Sequence, residues 1–373
     1  RPGDAEPALR HGLLVGVGYG LAVAVGWHAL VAAGGLNWFG QDAEVVAEAH
    51  DFALLMGWST VPAMLFQSLK NHREAVQQPW VALLWLGAGV VVNVIVNYVL
   101  MFGHFGAPAL GLAGAGWGTV AARVVSLTGL VFHRGGSRPR WHLGVQRRWL
   151  RESLTLGVPS AVQWTFEVGV FTCAAVVIGG FGKHQLAAHQ VVVSLASLAF
   201  MVPAGLSQGT SIRVGEAFGA KNAVALRRIA AGALAFGGGF MALYALVVTL
   251  LAGHIPAWFL GAENAAGETA ALATRMIFVA AAFAIFDGLQ VVASGALRGI
   301  SDVRFSSLSA FICYWLVSMP VALPLAYWAD WKGVGIWVGL AFGIAMAAVV
   351  LNARLAWQTH RYRRLWAEVR KRE

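Results

Sequence analysis

Two carboxylates stand in the middle of long apolar runs. Glu167 lies within GVPSAVQWTFEVGVFTCAAVVIGG and Asp287 within MIFVAAAFAIFDGLQVVASGAL. Either run is long enough to cross a bilayer as a helix, which takes about 20 residues. A charge at the centre of such a helix costs about 2.5–3.5 kcal/mol on insertion scales, and a chain keeps it mostly where it binds something. Of the 17 acids, only these two fall in mid-span. The chemistry they offer is reversible binding of a proton, of a hard cation such as Na+, or of an organic cation.

Helical spacing supplies each acid with neighbours. Gln163, Trp164 and Phe171 lie at i−4, i−3 and i+4 from Glu167. An amide and aromatic faces beside a carboxylate suit a positively charged, flat molecule. Phe283, Gln290, Val291 and Ser294 share the face of Asp287. Gln290 and Ser294 could add oxygen ligands to Na+ at Glu167 or Asp287, since hard ions favour oxygen cages. The competing explanation for each acid is a buried structural pair, for Glu167 with Arg123 or a backbone group. Asn93 and Asn97, at i and i+4 in another apolar run, are auxiliary cavity candidates, with helix–helix hydrogen bonding as the alternative. The eleven His have no metal-ligand spacing, and Cys173 and Cys313 read as small core residues. No phosphate-binding loop is present. Energy for any transport must therefore come from an ion gradient or a partner chain, and no resident cofactor is expected.

The elements that position these groups are membrane helices. The chain has 373 residues, 58% hydrophobic and 12% charged, against about 25% charged in soluble domains. That composition fits an all-α polytopic membrane protein. Ten stretches qualify as spans: 11–32, 52–70, 80–102, 112–133, 155–179, 187–211, 229–252, 271–296, 306–328 and 333–357. Alternate joints hold 23 of the 27 Lys and Arg, whereas the other joints hold only Lys183 and Lys332. By the positive-inside rule both ends of the chain are cytoplasmic. The net charge of +10 is then a topology signal. It points to anionic membrane lipid as a partner and away from nucleic acid. Pro62, Pro159, Pro203, Pro320 and Pro324 fall in or at the ends of spans, where they mark bends or static packing. Gly12, Gly16 and Gly20, and again Gly335, Gly339 and Gly343, form G-x-x-x-G runs that predict close helix packing.

An internal repeat organises the spans. SLKNHREAVQQP after the second resembles ALRGISDVRFSS after the eighth, and LAGAGWGTVAA in the fourth resembles KGVGIWVGLAF in the tenth. The offsets run from 219 to 228 positions, in one orientation. Two pseudo-symmetric six-helix lobes account for this, with the first two helices absent from this chain: subtracting the offset leaves about 75 residues unmatched at the N-terminal side. The expected divisions are an N-terminal lobe over 1–133 with four of its six helices, a basic cytoplasmic linker over 134–152, a C-terminal lobe over 153–357, and a basic tail over 358–373. A true ten-span protein is the plainer alternative.

The stretches FGAPALGLAGAGWGTVAAR, VPSAVQWTFEVGVF, LAAHQVVVSLASLAFMVPAGLSQGTSIRVGEAFGA and FDGLQVVASGALRGISD resemble the multidrug and toxic compound extrusion (MATE) family, in its NorM-like bacterial branch. The resemblance covers essentially the whole chain. It implies two six-helix lobes around a central cavity, in a monomer of the bacterial inner (plasma) membrane. It also implies export of cationic amphipathic drugs and dyes in exchange for Na+ or H+, by rocking of the lobes. Glu167 falls on the family's seventh-helix cation acid and Asp287 on its tenth-helix acid. The family's first-helix acid has no counterpart to be placed here. Where NorM-like members can carry Tyr four residues before the tenth-helix acid, this chain has Phe283, one hydroxyl fewer for an ion. A lipid-linked oligosaccharide flippase of related two-lobe fold is the alternative; it would need a basic cavity, and only Arg123 and Arg275 offer charge of that sign within spans. An intramembrane enzyme would need a catalytic motif that these segments lack.

Overall fold

The computed structural model describes residues 5–39, 43–133, 146–261 and 267–372. Among them every regular element is helical. Four long helices make up a first compact unit, residues 1–154: α1 (Ala5–Ala32), α2 (Ala43–Ala75), α3 (Pro79–Phe102) and α4 (Gly111–Phe132). The second unit, 155–373, holds most of α5 (Arg147–Gly180), then α6 (Lys183–Gly219), α7 (Ala223–Leu250), the short α8 (Ile255–Leu260), α9 (Glu268–Gly299), α10 (Val303–Phe311), α11 (Met319–Tyr327) and α12 (Lys332–Arg372). Ten helical segments are long and apolar enough to cross a membrane, α10 and α11 together forming the ninth. Five of the helices, α2, α5, α6, α9 and α12, overrun the expected spans at both ends, because helix geometry continues through the charged residues that hydropathy assigns to the joints.

Local chemistry fixes several boundaries. Pro79 opens α3, where its missing N–H is not needed, and Gly103 closes it in the left-handed conformation at φ 74°. The Asn222 side chain accepts from the Ala225 N–H and caps α7. The ninth span departs from a plain α-helix: residues Ile312–Ser318 form a π-helical turn between α10 and α11. Pro320 lies just beyond, with no N–H to offer the carbonyl four residues back, so the regular bonding pattern fails there.

The repeat appears in the packing. Within the first unit α1 packs on α2, α2 on α4, and α3 on α4. In the second unit α7 packs on α9, α9 on α12, and α11 on α12. The order of partners is the same. The glycines permit close approaches at some of these crossings. A Cβ on Gly20 would stand 3.0 Å from the Val61 Cα, and one on Gly339 would overlap Ala322, whereas Gly12 faces open space. Its run is therefore tight at only two of three positions.

The expected linker lies outside the described residues from 134 to 145. From Arg147 onward the remainder of the linker is already the first turn of α5, and the expected tail continues α12 as far as Arg372. At that end Asp302, before α10, accepts from Arg354 Nε at 2.8 Å and from Gln358 Nε2 at 2.7 Å. The Arg354 guanidinium also stacks on Phe305 and Trp357, 4.6 Å from each ring centre. This corner ties α12 to the α9–α10 turn.

Candidate ion and drug site

α9 positions the site. Its sequence is apolar and small-residued on all sides, so it sits in the middle of the second unit, between α6, α7 and α12. Asp287 is therefore enclosed by protein rather than lipid. Glu167 comes to it from α5. Both are buried, at 8% and 5% exposure. Two side-chain contacts and a shared cavity set the register of the two helices. Gln163 Nε2 donates to Ser294 Oγ at 2.9 Å, and both carboxylates line one cavity. The Phe171 and Phe283 rings meet edge to face with centres 5.9 Å apart. The pairs 163 with 294, 167 with 287, and 171 with 283 run in opposite senses, so α5 and α9 are antiparallel here.

The result is three layers along the helix axes. In the middle lie the acids. One turn toward the Gly180 end of α5 lies an aromatic layer, in which Phe171 and Phe283 pack on Trp337 at 6.4 and 5.6 Å. One to two turns toward the Arg147 end of α5 lie the polar residues Gln163, Gln290 and Ser294. Gln290 Nε2 donates to Asp287 Oδ1 at 3.4 Å, leaving its own Oε1 buried without a hydrogen-bond partner among the described residues. Ser294 is engaged with Gln163 instead and does not stand free as an ion ligand. Arg298 lines a cavity of about 40 Å³ with Glu167, Gln163 and Gln290. Neither acid forms a salt bridge among the described residues. Arg123, the suggested partner of Glu167, instead donates to Ser59 Oγ at 2.5 Å within the first unit.

The larger cavity, about 440 Å³, is walled by Trp164, Phe171, Phe200 and Phe283 around the two acids, a size and lining suited to a small organic ligand. Its α6 wall, including His189, Gln190, Phe200 and Met201, was not among the residues singled out by sequence. His189, the seventh residue of α6, carries a signal of its own, a polar ring inside an apolar span, which metal-ligand spacing does not detect. Asn93 and Asn97 lie in the first unit, on α3. Asn97 Nδ2 donates to Asn93 Oδ1 at 3.2 Å, and Asn97 packs against Gly118 of α4.

Repeated helical units that span a membrane, with unpaired acids lining an apolar cavity, define a membrane transporter rather than an enzyme. The MatE family model matches residues 1–99 and 159–323. The "Probable multidrug resistance protein NorM" of Brucella suis biovar 1 is 36% identical over 330 residues, 86% of this chain and 69% of its own length. The protein of the same name from Pseudomonas aeruginosa is 36% identical over 383 residues, 96% of this chain and 74% of its own. Among solved structures, the eukaryotic MATE transporter AtDTX14 superposes with a TM-score of 0.80 at 22% identity, over 97% of this chain and 82% of its own. A MATE protein in its bent conformation gives 0.86 at 15% identity, over 96% and 79%. This chain belongs to the MatE family.

Proposed function

We propose that the protein is a secondary active multidrug exporter of the bacterial inner membrane, exchanging cationic amphipathic compounds for Na+ or H+. One observation carries this reading: Glu167 and Asp287 are buried on one aromatic cavity, with no ion pair among the described residues. Buried charge is costly until something pairs it. A cationic drug supplies that pairing through its charge, while Trp164, Phe171 and Phe283 accept its apolar body. A proton or Na+ supplies the same pairing more compactly. Asp287 and the unpartnered Gln290 Oε1 are the oxygen donors a hard cation would use. Drug and ion thus compete for one pair of carboxylates. The ion moves the cycle only by its differential affinity for the two states of the transporter.

Both termini are placed on the cytoplasmic side by the charge asymmetry of the joints, and the expected working form is a monomer in contact with anionic lipid. The names of the NorM relatives support a multidrug role. The coupling ion is decided in reconstituted vesicles. Drug added to vesicles preloaded with Na+ should release it if Na+ is the coupling ion. A response to a pH gradient alone assigns H+, and export that ignores both gradients refutes the antiport reading.

A further inference from the structure

His189 is the cavity group for which the exchange cycle has no use. It lies on α6, buried at 1% exposure, and its ring lines the same cavity as the two acids. Trp337 Nε1 is 3.2 Å from His189 Nδ1. An indole N–H can only donate, so Nδ1 accepts and the ring proton sits on Nε2. Trp337 is fully buried and wedged against Phe171 and Phe283, which fixes the direction of its N–H and hence of the imidazole. Nε2 has no hydrogen-bond partner among the described residues, and it is not one of the sealed-in unpartnered atoms. The cavity that His189 lines is the open space within its reach.

The distance of this donor from the acids follows from helix geometry. Phe200 stands eleven positions further along α6 and packs on Trp164 with ring centres 6.0 Å apart. At 1.5 Å per residue His189 is about 16 Å along the axis from Phe200. Trp164 lies about 4.5 Å from Glu167 on the same scale, toward the Phe200 end. His189 is therefore about 10–12 Å from the level of the carboxylates, with Phe171 and Phe283 between.

We infer that the His189 Nε2–H is a second recognition point in this cavity, for a carbonyl-type oxygen at the far end of an amphipathic cation. The class it selects has a cationic centre and an oxygen acceptor at least about 10 Å apart on a flat aromatic body, the carboxylates holding one end and the imidazole the other. A hydrophobic cation without an acceptor gains nothing from His189. The inference rests on the exporter reading above.

The test compares two probes in the reconstituted transporter: tetraphenylphosphonium, which has no acceptor, and a zwitterionic fluoroquinolone, whose keto acid lies opposite its cationic amine. His189→Ala should raise the fluoroquinolone KM about tenfold more than the tetraphenylphosphonium KM, the worth of one hydrogen bond in a dry site. His189→Gln, which keeps an N–H donor, should recover most of the loss. In the unmutated protein, a matched pair of cations differing by one carbonyl should show the same preference, independent of how the variants fold. Equal loss for both probes, no loss for either, or no preference within the matched pair overturns the inference. Failure of the unmutated protein to export tetraphenylphosphonium would instead strike the exporter reading itself.

Discussion

Glu167→Gln is the most informative single change, because it removes a charge and leaves the shape of the cavity intact. The carboxylate is 8% exposed and unpaired, so a bound organic cation meets it with little water between. At a contact distance of about 4 Å and an effective dielectric of about 20, the attraction is about 4 kcal/mol. Truncating one member of a buried charge pair costs about 2–5 kcal/mol. Asp287 remains in the same cavity, so the lower part of that range applies. A loss of about 2–3 kcal/mol weakens binding about 30- to 140-fold at 1.4 kcal/mol per factor of ten. The measurement is the equilibrium Kd for tetraphenylphosphonium with purified transporter in nanodiscs. Asp287→Asn should weaken it in the same direction, and the double variant should bind no better than the weaker single. If both single variants stay within threefold of the parent Kd while remaining folded, the acids do not hold the drug and the reasoning fails.

Two further outcomes are expected. Gln290→Leu removes the buried Oε1 that has no partner among the described residues, and should raise the Na+ concentration needed for half-maximal drug release; an unchanged Na+ response would remove Gln290 from the ion's ligands. Asp302→Ala strands the Arg354 and Gln358 donors, and should lower stability by about 1–3 kcal/mol, read as a lower melting temperature with drug affinity intact. Unaltered melting would mean that this corner contributes nothing.

Much of the site was legible in the residues because the energetics of insertion are local. A mid-span acid is anomalous whatever surrounds it, so Glu167 and Asp287 stood out without any knowledge of the fold. Period 3.6 then placed Gln163, Phe171, Phe283 and Gln290 on the faces of the two acids, and each lines a cavity with one of them or bonds to it. Ser294 shows the limit of that reasoning. Its face was right, but its hydroxyl is taken by Gln163 from another helix, 131 positions away. The π-helical turn before Pro320 was likewise hidden, since hydropathy does not distinguish helix types.

The sequence alone determined the number of spans, the repeat, the charge asymmetry and the two acids, all set by transfer of single residues or single segments between water and lipid. Tertiary structure alone decided which faces meet and at what depth. To a bilayer, every apolar face of a helix is nearly equivalent, so helices choose partners by fit and by rare polar contacts. The antiparallel register of α5 and α9, the α6 wall of the cavity, and the bond that turns His189 toward it from Trp337, 148 positions away, all come from that choice.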